Sequence, residues 1–222
     1  MTDEPTKSLE VMLCLTAFAA GSVDIIAFAK LGGILASAMT GNLAFLAFYI
    51  SRFSLASAVG SAIALVGFVL GGAAGTVLGR GRGQREALRA LLGVEVVLLA
   101  CAVAVWAPTH HRNGSLSGDA VILLLAFSMG LQSIVGKRVN LSNIPTIVFT
   151  STLTNIVIAF TDMLASRKFA MPLDTRRQCV SFSLYFVGAL VAGIVVFFGL
   201  GVVIFLPLVA VGGAFGMTLR IL

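Results

Sequence analysis

Charge is what this sequence has least of. Only 11% of its 222 residues are Asp, Glu, Lys or Arg, against about 25% in an average soluble domain. A soluble chain of this length could not coat its surface with so few charges. Cysteine is also scarce, and Cys14, Cys101 and Cys179 lie in or beside apolar runs with no metal-ligand spacing. That pattern excludes a disulfide framework and a cysteine metal site, leaving small core residues. The two histidines, His110 and His111, are adjacent in a polar stretch and lack the same-face spacing of a helical metal site. Ser115 and Ser117 have no nucleophile-elbow context. The GRGRG run from Gly79 to Gly83 lacks the pattern of a phosphate-binding loop. No enzyme, metal or cofactor is therefore expected. The net charge of +6 does not point to nucleic acid, because the Arg and Lys fill short gaps between apolar runs rather than one face.

What the chain has in abundance is apolar length. Residues of the hydrophobic set make up 59% of it, in runs able to cross a hydrocarbon layer about 30 Å thick, which takes about 20 helical residues. Its 24 glycines suit lipid-embedded helices, which approach closely where side chains are small. Eight apolar segments stand out, at roughly 9–29, 34–50, 54–79, 88–106, 119–136, 146–164, 178–198 and 201–220. Asp3 and Glu4 make a poor positive n-region for a cleaved signal, and apolar character resumes beyond Asp24.

Basic residues set the topology. Arg80, Arg82, Arg85 and Arg89 form one cluster, Arg167, Lys168, Arg176 and Arg177 another, and Lys137 with Arg138 a third patch. Eight crossings would put the first two clusters on opposite sides, against the positive-inside rule. If segments two and six enter and return, all three patches, Lys7 and Arg220 become cytoplasmic. The expectation is six crossings with both termini cytoplasmic.

Segments two and six are also the unusual ones. Thr40, Gly41 and Asn42 stand near the middle of one, and Thr150, Ser151, Thr152, Thr154 and Asn155 in the other. Such centres suit broken or re-entrant segments shielded by protein. Ordinary tilted helices, with hydroxyls bonded back to their own carbonyls, are the alternative. The halves, about 9–106 and 119–220 of a single membrane domain spanning 1–222, echo each other. Phe18-Ala19-Ala20-Gly21 aligns with Phe127-Ser128-Met129-Gly130, Thr40-Gly41-Asn42-Leu43 with Thr150-Ser151-Thr152-Leu153, and Val66-Gly67 with Val187-Gly188. Three crossings per half would make this a 3+3 inverted repeat. The fold class expected is all-α integral membrane, with six transmembrane helices and two broken or re-entrant segments.

Asp24, in GSVDIIAF, is the leading candidate for function. A carboxylate at a helix centre in lipid costs roughly 2.5–3.5 kcal/mol on insertion scales, so it faces protein or water. Glu95, in LLGVEVVLLA, is intramembrane as well, and the two carboxylates are candidates for proton coupling. Gln132 and Ser133 can hydrogen-bond across helices or contact a substrate, and polar helix glue is the slightly favoured of the two readings because such bonds are common. The expected solute or ion path runs between the Thr40-Gly41-Asn42 and Thr150-Ser151-Thr152 segments, lined by Asp24, Thr40, Gly41, Asn42, Gln132, Ser133, Thr150, Ser151, Thr152 and Asn155.

These residues carry a resemblance. AGSVDIIAFAKLGGILASAMTGNL, followed by AFSMGLQSIVGKR and TSTLTN, resembles the YoaK-like family of bacterial membrane proteins. The family's G..D...F...GG......TGN hallmark is met by Gly21, Asp24, Phe28, Gly32, Gly33, Thr40, Gly41 and Asn42. Its GLQ, basic-pair and T-x-T-L-T hallmark is met by Gly130, Leu131, Gln132, Lys137, Arg138, Thr150, Thr152, Leu153 and Thr154. Ser133 stands where members often have Asn, and Ser151 where they often have Gly. The family being one of unknown function, the resemblance implies a multi-pass protein of the bacterial inner (plasma) membrane and no substrate. A small transporter or channel for an unknown solute or ion is the leading expectation. A non-transporting membrane protein that binds a partner or assists assembly is its competitor. Beyond the lipid bilayer no partner is named, and homo-oligomerisation stays open.

Overall fold

The computed structural model describes residues 4–106, 115–139, 149–167 and 171–220. Among them no strand occurs. The helices are α1 (Glu4–Lys30), α2 (Met39–Ser51), α3 (Leu55–Gly79), α4 (Gln84–Trp106), α5 (Leu116–Val139), α6 (Phe149–Ser166), α7 (Leu173–Phe197) and α8 (Phe205–Arg220). A 3-10 turn, Gly201–Ile204, leads into α8. The histidine pair and Lys168 lie outside the described residues.

Six of the helical stretches are long and apolar enough to cross a membrane: α1, α3, α4, α5, α7, and α8 together with the turn before it. Segments two and six are the exceptions the sequence singles out. With 13 residues, α2 spans about 20 Å at 1.5 Å per residue, well short of the hydrocarbon thickness. α6 is not among the six.

The break in segment two lies earlier than its Thr-Gly-Asn centre. Residues 31–38 are non-helical, and Thr40, Gly41 and Asn42 form the first turn of α2. Local chemistry explains the shift. Gly32 and Gly33 adopt φ of 92° and 78°, and the Gly33 N–H donates to the Phe28 carbonyl at 3.0 Å. A residue in the left-handed region with that backward bond ends a helix, and glycine adopts it without a Cβ penalty. In segment six, Thr150–Thr152 likewise open α6 rather than interrupt it, and residues 140–148 lie outside the described residues.

Helix directions follow from the contacts. Glu10 and Arg177, near the starts of α1 and α7, form an ion pair at 2.6 Å. Farther along, Tyr185 of α7 reaches Asp24 of α1, so these two helices run parallel. Gly60 of α3 touches both Ile34, just beyond α1, and Ile122 of α5. The end of α1 therefore meets the starts of α3 and α5, which run the other way. At the far end, Arg138 packs on Gly79, and Gln84 donates to the Arg138 and Val139 carbonyls at 3.1 and 2.8 Å. The Arg80–Arg89 cluster, Lys137-Arg138 and Arg177 consequently share one end of the bundle, as six crossings require.

α1 and α5 form the centre, with 67% and 61% of their apolar windows buried against 17–39% for the other spans. α1 packs on α7 and α8, while α5 packs on α3 and α4. α2 rests on α3 as α6 rests on α7, and α4 meets α8. Both main crossings are built on glycine. A Cβ on Gly21 would meet the Tyr185 carbonyl, and one on Gly188 the Phe18 carbonyl. In the other pair, Gly130 faces the Phe68 carbonyl and Gly71 faces the Phe127 carbonyl. Gly71, one turn beyond Gly67, thus occupies in its crossing the place Gly188 occupies in the other.

Candidate functional site

Asp24 is held, and completely enclosed. Its side chain is buried, and Oδ1 accepts the Ser37 N–H at 2.7 Å. Oδ2 accepts the Ser37 hydroxyl at 2.6 Å and the Tyr185 hydroxyl at 2.7 Å. One carboxylate thereby ties α1 and α7 to the non-helical stretch that follows α1. The three donors converge on the one carboxyl group at 2.6–2.7 Å.

Asn42 anchors the same stretch from its other side. Its Oδ1 accepts the Leu35 N–H at 3.1 Å and its Nδ2 donates to the Leu35 carbonyl. The side-chain amide pairs with Leu35 as a neighbouring strand would, satisfying both backbone groups of a residue that has no helix around it. Gly41 leaves room for Leu35, whose Cδ1 would lie 3.3 Å from an added Cβ. Thr40 is exposed. With both anchors in place, Leu31, Ile34, Ala36 and Ser37 are buried. Ile34 reaches Gly60 beside Ile122. Residues 31–38 are thus a plug seated where the α1/α7 pair meets the α3/α5 pair.

Gln132 lies on the central helix α5, buried, and donates through Nε2 to the Thr16 carbonyl of α1 at 3.0 Å. Its Oε1 has no hydrogen-bond partner. Ser133 bonds back to the Gly130 carbonyl at 2.6 Å. Glu95 of α4 is fully buried against Ser128 of α5, yet neither carboxylate oxygen closes a hydrogen bond.

The second polar segment is arranged differently. Thr150, Ser151 and Asn155 are exposed and Thr152 is buried. The Thr154 hydroxyl bonds back to the Thr150 carbonyl at 3.1 Å. Asn155 borders an open depression with Asp162, Ser166 and Pro172. The structure therefore brings Asp24 and Asn42 together around one plug, sets Gln132 and Glu95 on α5 and α4, and leaves the α6 residues on the flank beside α7. Asp24 and Glu95 occupy separate sites.

Sequence reasoning missed the partners. Ser37 and Tyr185 complete the Asp24 site, and Ser128 faces Glu95. A signal existed for Tyr185, because a phenol within an apolar span usually finds a hydrogen-bond partner. Among the described residues no group of His, Cys, Asp and Glu is placed to hold a metal ion.

The chain is similar to the UPF0700 transmembrane protein YoaK of Bacillus subtilis (strain 168), with 27% identity over 190 residues, 85% of this chain and 83% of that protein. No solved structure matches it. A family described as protein of unknown function (DUF1275) matches residues 12–217, which include the plug, its anchors and the buried Glu95, and the chain belongs to that family.

Proposed function

We propose that this membrane protein is a small-solute or ion transporter or channel of the bacterial inner membrane, with both termini cytoplasmic. Its two halves form a 3+3 inverted repeat. Support for the repeat comes from the matched packing of α1 on α7 and α8 with that of α5 on α3 and α4, and from the paired glycine crossings. Basic residues gathered at one end support the orientation. The path runs along the seam between the α1/α7 and α3/α5 pairs, and the plug at 31–38 closes its outer end. The plug itself is the observation that carries this reading. Non-helical backbone at membrane depth survives only where protein or a watery cavity shields it, and transporters place such breaks at repeat interfaces.

A partner-binding role has one observation of its own. The α6 residues Thr150, Asn155 and Asp162 are exposed along a helix that packs on α7, and lipid tails offer their side chains no hydrogen-bond partner.

Proteoliposome uptake, screened over small metabolites and ions with and without a pH gradient, tests transport. Ile34→Cys with Gly60→Cys, in a background with Cys14, Cys101 and Cys179 replaced by Ala, would pin the plug to α3. Flux should stop on oxidation and return on reduction. Flux unchanged by the crosslink would remove the plug from the path, and no flux for any solute or ion would favour the partner-binding role.

A further inference from the structure

Glu95 stands at the middle of α4, one of the six apolar spans. It lies halfway along α4, so at 1.5 Å per residue about 16 Å of helix separates it from either end. Its accessible surface is zero, and neither Oε1 nor Oε2 has a hydrogen-bond partner. The buried Ser128 hydroxyl of α5 is the polar group set against it. Glu95 and Ser128 thus form one polar spot on the α4–α5 contact.

Nothing nearby neutralises a carboxylate there. The elements against α4 are α3, α5, α8 and the uncharged 3-10 turn Gly201–Ile204. α3 has no charged residue, α5 only Asp119 in its first turn and Lys137 and Arg138 in its last, and α8 only Arg220 at its end. On α4 itself the charged residues are Arg85, Glu86 and Arg89, all exposed near its start. On α1, Asp24 is engaged with Ser37 and Tyr185. An ionised carboxylate is acceptor-only, whereas a protonated one gains a donor. Added to Glu95, one proton removes the unpaired charge and supplies an O–H for an acceptor in the spot. Asp24 already receives three donors and needs none.

From this geometry we infer that Glu95, with Ser128, forms a buried proton-binding site at the α4–α5 contact, and that Asp24 is an anchor for the plug rather than a second proton carrier. The inference deepens the transport reading by naming the coupling ion as H⁺. It can be tested without any transported solute.

Dicyclohexylcarbodiimide, an apolar reagent that requires a protonated carboxyl, is applied to the full chain in liposomes, and the modified residues are mapped by peptide mass. Glu95 should be labelled and Asp24 not. The rate should fall as pH rises and stay the same when sodium replaces potassium. Glu95→Gln should abolish the label, and Ser128→Ala should shift its pH dependence while leaving the label on Glu95. An unlabelled Glu95 would overturn the site, and protection by sodium would make it a metal-cation site instead. The wild-type map stands even if Glu95→Gln fails to fold. Labelling without flux would retain the proton site and discard transport, whereas flux without labelling would do the reverse.

Discussion

Replacing Gly21 with alanine drives a methyl group into the backbone of a neighbouring helix. The new Cβ would sit 2.9 Å from the Tyr185 carbonyl carbon, nearer still to its oxygen, and 3.0 Å from the Ala189 nitrogen. Carbon atoms in good contact stand about 3.5–4.0 Å apart, so α1 and α7 must separate by more than roughly half an ångström. No rotamer relieves the clash, because both sides are main chain. Gly188→Ala repeats it from the other helix, with the Phe18 carbonyl carbon at 2.9 Å. Gly71→Ala and Gly130→Ala do the same between α3 and α5, at 2.8 Å from the Phe127 carbonyl carbon and 2.9 Å from that of Phe68. Overpacking of this kind costs about 1–3 kcal/mol. The same substitution at Gly212 or Gly216, where nothing lies within 4 Å, retains only the helix-propensity gain of roughly 0.5–1 kcal/mol. Equilibrium unfolding in mixed micelles should rank the four crossing variants below the two controls by about 1–3 kcal/mol. Pairing Gly21→Ala with Gly188→Ala should cost less than the sum, since helices already parted accept the second methyl. Pairing Gly21→Ala with Gly130→Ala, in different crossings, should add. All six single variants falling within roughly 0.5 kcal/mol of each other, the range of an ordinary surface change, would refute close backbone packing at these sites.

Ser37→Ala and Tyr185→Phe each remove one donor to Asp24 and should each cost about 1.5–3 kcal/mol, the range for bonds to a charged group, in the same unfolding assay. Asn42→Ala frees both backbone groups of Leu35, so a cysteine at position 36, buried in the parent, should react with maleimide at least about tenfold faster, a change of about 1.4 kcal/mol in loop opening. Reporter fusions after Gly83 and after Arg167 should both read cytoplasm; opposite readings would disprove six crossings. Arg177→Ala should cost only about 0.5–1 kcal/mol, less at high salt, because its partner Glu10 keeps 23% of its side chain exposed.

Composition and run length alone determined that the chain is a helical membrane protein, because covering lipid-facing surface and satisfying backbone groups leave a sequence few options. The basic clusters pointed to six crossings for an equally general reason, and Thr40-Gly41-Asn42 and Thr150-Ser151-Thr152 marked the two segments that stand apart from the six long apolar helices. What only the tertiary structure decided is what the polar residues do. Asp24 and Asn42 lie on different helices, and their meeting at residues 31–38 depends on where the chain turns after Gly32-Gly33. Tyr185 reaches Asp24 from the other half of the chain, a contact with no local signature. Glu95 and Asp24 read alike as intramembrane carboxylates. Folding gives three donors to one and none in bonding geometry to the other, because a side chain's hydrogen-bond partners in a bundle are set by which faces cross and at what height.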